Sequence, residues 1–159
     1  FIKNKQLEKE GRKKDTLNKF IYHGINEDRI ILEGRSPLRD YFDSYNRVDI
    51  NLSPFPYGGG TTSIEGLWMG VPVLTKKGSN FVSHIGESIA HNSGLSDWIA
   101  DDNEDYISKA INFSSKLNEL ANLRKTLRNQ VLLSPLFDKI KFSRYFENAL
   151  WGMWKDSKN

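Results

Sequence analysis

The chain has 159 residues, 38% of them hydrophobic, enough to bury one core and short for more than one domain. It contains no cysteine, which excludes a disulfide framework and a thiolate metal site and suits the reducing compartment of a cytoplasmic protein. Its net charge of +3, from 23 basic and 20 acidic residues, is too small for a nucleic-acid surface, and no apolar run approaches the roughly 20 residues of a membrane span.

Phe1-Ile2-Lys3 reads as the end of a strand. Lys5 to His23 suits a helix, with Leu17, Phe20 and Ile21 at i, i+3, i+4 on its inward face. Gly11 is a candidate interruption and Gly24 a natural stop. Lys3 to Lys14 holds six basic and two acidic residues, which reads as a solvated helix face. Ile30-Ile31-Leu32 is a continuous apolar run, suited to a parallel strand covered on both faces. Ser36 then stands at an N-cap position and Pro37 in the first turn of a helix that reaches about Tyr45, with Leu38, Tyr41 and Phe42 on its apolar side.

Residues 48 to 75, VDINLSPFPYGGGTTSIEGLWMGVPVLT, are the stretch around which the rest is organised. Val48, Ile50 and Leu52 alternate as in a strand. A loop with Pro54, Pro56 and Gly58 to Gly60 follows, then Ile64, Leu67 and Trp68 at helical spacing, and Val71 to Leu74 as a second strand. A helix starting near Thr61 leaves its first amides without internal partners, and its dipole makes that end positive. Glycines admit a bulky anion close to the backbone, and threonine hydroxyls add donors, so the turn can seat a phosphate or diphosphate. The same residues also suit a flexible turn with Thr61 or Thr62 as a helix cap. They match neither the lysine-bearing phosphate loop nor G-x-G-x-x-G.

Lys76 to Asn80 reads as a polar turn, and Phe81, Ile85, Ser88 and Ile89 continue at helical spacing to a break at Asn92-Ser93-Gly94. Trp98 and Ile99 offer burial in a short segment. Asp101-Asp102-Asn103 caps a helix with Tyr106, Ile107, Ala110 and Phe113, and a second helix carries Leu117, Leu120, Leu123, Leu127 and Val131. Ser134-Pro135 separates it from a last helix, Asp138 to Trp154, with an expected inner face of Phe142, Tyr145, Phe146, Ala149, Leu150 and Met153. Trp151 and Trp154 fit either the core or a docking face for a neighbouring domain. His23, His84 and His91 lie far apart, so no metal site is expected.

Three or four strands alternating with about six helices make an α/β fold: a Rossmann-like, doubly wound parallel sheet with a helical C-terminal tail. The turn at Glu33–Pro37 and the loop at Ser53–Gly60 both follow strands, where such sheets collect ligands. The chain begins at Phe1 and its only methionines are Met69 and Met153, so it is expected to be a fragment of a longer protein.

The run LSPFPYGGGTTSIEGLWMGVPVLT resembles the C-terminal catalytic lobe of the O-linked N-acetylglucosaminyltransferase (O-GlcNAc transferase, SPINDLY-like) family, whose pattern there is close to L-D-P-F-P-Y-N-G-G-T-T-T-x-E-A-L-W-M-G-V-P-V-V-T. FVSHIGESI, GLSDWIA, LLSPLFD and FENALWGMW resemble further family segments, so the likeness runs nearly to Trp154. The resemblance implies the C-terminal lobe of a GT-B glycosyltransferase over residues 1–159, with the N-terminal lobe, the first strand or strands and the family's tetratricopeptide repeats belonging to the rest of a longer chain. It implies a UDP-sugar, UDP-N-acetylglucosamine above all, as donor substrate with no separate cofactor, and a protein serine or threonine as acceptor. It places Gly59, Gly60, Thr61 and Thr62 on the diphosphate, Glu65 on the ribose hydroxyls and the backbone of Ser36 on the uracil. The chain departs from the family at Leu38 and Tyr41, where animal members have lysine and histidine; Tyr41 retains the means to stack on or hydrogen-bond the nucleotide. Ser53 replaces the common aspartate and His84 an arginine.

Two functional readings follow. One is a UDP-sugar-binding lobe of an inverting protein O-glycosyltransferase, inactive by itself and with no general base assigned. The other is a non-catalytic interaction module of the same ancestry, in which Leu38 and Tyr41 mark a lost site. A dinucleotide-dependent oxidoreductase fits the fold class but lacks the glycine fingerprint.

Overall fold

The computed structural model describes residues 1–158 and divides into two compact units, Phe1–Val48 and Asp49–Asn159. In the first, β1 (Ile2–Lys3) pairs in parallel with β2 (Leu32–Glu33), in the register Ile2 to Leu32 and Lys3 to Glu33. A parallel pair needs a crossover, and α1 (Glu10–Tyr22) supplies it. The helix expected from Lys5 is broken at Lys9, whose extended backbone separates a 3-10 turn, Lys5–Glu8, from α1. Gly11 does not interrupt; it sits in the first turn of α1. Gly24 does end the crossover, at φ +79°. Leu17 and Phe20 are half-buried while Ile21 is exposed, so the inward face is narrower than its spacing suggests.

The second strand begins later than the apolar run Ile30-Ile31-Leu32, and Ile31 is exposed rather than covered. The next helix, α2 (Leu38–Asp43), has Pro37 and not Ser36 at its N-cap and no side-chain cap. It gives way to a 3-10 turn over Ser44–Arg47.

The second unit holds β3 (Asn51–Leu52), β4 (Val73–Lys76) and β5 (Ile99–Ala100), all parallel in the order β3-β4-β5. The crossovers carry α3 (Thr61–Trp68) and α4 (Ile85–Asn92); α5 (Asn103–Ser115), α6 (Leu117–Leu132) and α7 (Lys139–Asp156) complete the chain. The run from Val71 to Thr75 is buried throughout, as a central strand covered on both faces requires. Around it lie Leu67, Ile89, Leu95, Trp98, Leu120, Leu127 and Val131. The rings of Trp98 and Phe113 stack at 4.1 Å. Burial of each such aliphatic or aromatic side chain contributes about 1.5–3 kcal/mol, which is what holds three very short strands together.

Gly86 brings α4 directly onto the sheet. A Cβ at that position would stand 2.1 Å from Thr75 Oγ1 on β4, so only glycine permits the approach. Asp102 caps α5 by accepting from the Asp105 amide at 2.8 Å, as its sequence position predicts.

The last helix departs from expectation. Asp138 caps it by accepting from the Lys141 amide at 2.9 Å, and the helix forms over its expected span. None of its residues is buried, however. Phe142, Tyr145, Phe146, Ala149, Leu150 and Met153, expected to face inward, are exposed, as are Trp151 and Trp154. Amphipathic spacing selects a face for burial without providing the surface to bury it against. Among the described residues no helix is long and apolar enough to cross a membrane.

Candidate functional site at the carboxyl edge of the second sheet

The site is built where β3 ends. The Ser53 amide donates to the Leu74 carbonyl at 2.9 Å, the last rung between β3 and β4. Its side chain is buried, and its hydroxyl accepts from the Gly59 amide at 3.2 Å. This draws the loop Pro54–Gly58 closed on itself; the loop includes a cis Phe55–Pro56 bond. On the far side, Ser63 Oγ donates to the Gly59 carbonyl at 2.8 Å. Gly59 is thus held from both its amide and its carbonyl.

There is no room at Gly59 for a side chain. A Cβ would lie 2.7 Å from Ser63 Oγ and 2.7 Å from Thr62 Oγ1. Gly60 is the N-cap of α3, with no side-chain cap. The alternative in which Thr61 or Thr62 caps the helix is therefore not what the chain builds. The helix's own hydrogen bonds begin with the amides of Ser63, 3.0 Å, and Ile64, 3.2 Å, both donated to the Gly60 carbonyl. The amides of Thr61 and Thr62 precede them, at the positive end of the dipole, and both residues are exposed. Glu65 lies one turn further along α3, half-buried. Gly59, Gly60, Thr61, Thr62 and Glu65 are therefore gathered on one loop and one helical turn.

Two residues that sequence reading left out of the site secure it from behind. Tyr106 of α5 donates its phenol proton to the Ser53 carbonyl at 3.0 Å, and its ring meets Phe55 edge-on at 5.3 Å. Burial pushes the Tyr106 phenol up to about 12, which extends its protonated, donating form into alkaline solution. Lys76, the last residue of β4, holds its ammonium group 4.3 Å above the Phe55 ring. The signal for Ser53 was available, since a small hydroxyl residue between a strand and Pro54 is a natural loop anchor. For Tyr106 there was none, because 53 residues separate it from its partner.

Ser36 and Tyr41 belong to the first unit. The Ser36 side-chain oxygen is buried without a hydrogen-bond partner and lines a cavity of about 230 Å³ with Lys3, Glu33, Asp40, Asp43, Ser44 and Arg47. Arg47, hydrogen-bonded at 2.6 Å, holds the Glu33 carboxyl below the usual range, with Lys3 assisting at 3.1 Å. Tyr41 shares a hydroxyl–hydroxyl bond of 2.8 Å with Tyr45, and does not line that cavity. Leu38 is 71% exposed and offers no charge. His84 binds Glu87 through Nδ1 at 2.6 Å. Among the described residues no group of three or more histidines and carboxylates is placed to hold a metal ion.

Parallel strands with helical crossovers, and a glycine turn feeding a helix at the sheet's carboxyl edge, define a Rossmann-like α/β protein of the kind that takes anionic ligands beyond its strand ends. Comparison with known proteins narrows the class. The profile of glycosyl transferase family 41 matches residues 9–146, and the chain belongs to that family. It is 39% identical over 116 residues to the probable UDP-N-acetylglucosamine–peptide N-acetylglucosaminyltransferase SPINDLY of Solanum lycopersicum, and 38% identical over 115 residues to that of Hordeum vulgare. These matches cover 73% and 72% of the chain and 12% of each relative, so the chain spans about one eighth of their length. An O-GlcNAc transferase mutant of Thermobaculum terrenum superposes with a TM-score of 0.88 at 31% identity, over 94% of this chain and 29% of that one. The α/β architecture expected from sequence is that of this transferase's fold.

Proposed function

We propose that the chain is the nucleotide-sugar-binding C-terminal lobe of a GT-B protein O-glycosyltransferase, acting on UDP-N-acetylglucosamine and transferring the sugar with inversion to serine or threonine hydroxyls. Family membership supports the reaction class. The observation that carries the assignment to these residues is Gly59, pinned at both ends and with no space for a Cβ, beside the leading amides of α3. In this reading the amides and hydroxyls of Thr61 and Thr62 take the diphosphate, and Glu65 accepts from the ribose hydroxyls. As the sugar leaves, UDP gains negative charge, and donors already in place stabilise it without reorganising. The acceptor site, the N-terminal lobe and any tetratricopeptide repeats belong to other parts of a longer protein, and the 159-residue chain binds without turning over.

Titration calorimetry with UDP tests this. The unaltered chain is expected to bind at millimolar affinity or better, and Thr61→Ala combined with Thr62→Ala to abolish binding while leaving the fold intact. Unchanged binding in that double variant would remove the diphosphate from this turn. The second reading, a non-catalytic interaction module, draws on the exposed Leu38 and on the uncovered aromatic face of α7. It predicts no UDP binding at all.

A further inference from the structure

Lys76 is half-buried without an ion pair, whereas the other half-buried cations of the second unit, Lys109 and Arg124, are paired with Asp105 and Asp49. Its neighbour Lys77 is spoken for, paired with Asp101 at 2.6 Å, and Lys109 is held by Asp105 at 2.9 Å and by the Ile99 carbonyl at 2.6 Å. Among the described residues Lys76 has no carboxylate within ion-pair distance; its ammonium lies over the face of Phe55. Its place is set by the sheet. Leu52 pairs with Leu74 and the Ser53 amide bonds the Leu74 carbonyl, so the loop leaves β3 alongside the point where Lys76 ends β4. Phe55, on that loop, is in turn braced by Tyr106, which also binds the loop's first carbonyl. Lys76 is a half-buried residue whose ammonium has no counter-ion among the described residues, and that charge gains from whatever compensates it. A ring face does so only in part, and an anion in the adjacent turn would do so better.

We propose that Lys76 is a diphosphate-contacting residue of this site, held at the sheet's carboxyl edge by the Phe55–Tyr106 pair and supplying the positive charge that the uncharged Gly59–Thr62 turn lacks. This rests on the nucleotide reading above. It assigns a role to the strand end and not to the helix: the α3 amides orient the phosphates, and the lysine neutralises them. The ammonium lies over the Phe55 ring and leaves it for the phosphate oxygens when the ligand is present, a movement the lysine's rotatable bonds allow.

The test measures UDP and uridine affinities side by side for the 159-residue chain, for Lys76→Met and for Lys76→Arg, with circular dichroism and thermal midpoint as fold controls. Methionine keeps an unbranched apolar side chain of similar length and removes the charge. Lys76→Met is expected to lose about tenfold in UDP affinity, the size of one charge-assisted contact, with uridine binding unchanged. Its UDP affinity should also depend less steeply on salt, and Lys76→Arg should recover most of the loss. Equal UDP affinity in Lys76→Met and the unaltered chain would overturn the assignment while leaving the nucleotide reading standing. A parallel loss of UDP and uridine binding would overturn it too, since that is the mark of a structural role. Failure of the unaltered chain to bind UDP would overturn the nucleotide reading itself, and this assignment with it.

Discussion

Helices α6 and α7 are near equals in sequence, with 16 and 18 residues and an apolar stripe at helical spacing in each. Their environments are opposite. α6 packs against α3 and α5 and buries Leu120, Leu127 and Val131 in the core, with Leu127 0% exposed. On α7, Leu150 is 48% and Phe142 66% exposed, and nothing is buried. Even within α6 the stripe is used selectively, for Leu117 at its start is exposed. Periodicity therefore reports that a helix has a face, and says nothing of whether this chain contains the partner for it.

The largest effect that tests this contrast is truncation on the two stripes. Leu127→Ala should cost about 2–5 kcal/mol in chemical denaturation, whereas Leu150→Ala should stay within about 0.5 kcal/mol. Comparable losses would mean that α7 is packed in solution after all, and the contrast would fail.

Glycines sharpen the same comparison with opposite signs. Gly86→Ala places a Cβ on Thr75 Oγ1, 2.1 Å away, and should destabilise by about 1–3 kcal/mol as the helix is pushed off the sheet. Gly152, inside α7, has nothing within 4 Å of its Cβ position. Gly152→Ala should therefore stabilise, by up to about 1 kcal/mol, through helix propensity alone. Thermal midpoints of the two variants moving the same way would contradict the environments described.

The smallest effect compares two tyrosines. Tyr106→Phe removes the bond to the Ser53 carbonyl and should cost about 1 kcal/mol; Tyr145→Phe, on the exposed face of α7, should cost nothing measurable. The pH dependence carries a sign. Burial raises the folded Tyr106 pKa from 10.0 to about 12, so its neutral form is the one folding favours. Its contribution is complete below the unfolded value of 10.0 and disappears as pH rises through about 12. The unaltered chain should lose stability across that window, and Tyr106→Phe should lose less. Identical alkaline profiles would place Tyr106 outside the loop's support.

Much of this molecule is legible residue by residue. The break from strand to glycine turn to helix at Thr61, the stop at Gly24 and the cap at Asp102 follow from local rules, because a turn or a cap is decided by groups a few residues apart. The long central motif by itself also marks the family. Ser36 shows where local reasoning stops. A serine before proline suits an N-cap, yet Pro37 takes that position and the serine hydroxyl is left buried in a small polar cavity. Lys9 breaks its helix where Gly11 was the better local candidate.

Sequence alone determined the alternation of strands and helices, the glycine turn ahead of α3 and the family, since each rests on short-range geometry or on an extended run of matching residues. Only the tertiary structure decided which apolar faces are covered, that Tyr106 reaches across to the loop, and that Lys76 ends its strand beside Phe55 with no counter-ion among the described residues. Those outcomes depend on which distant segments meet, and a single chain read in order carries no record of that meeting.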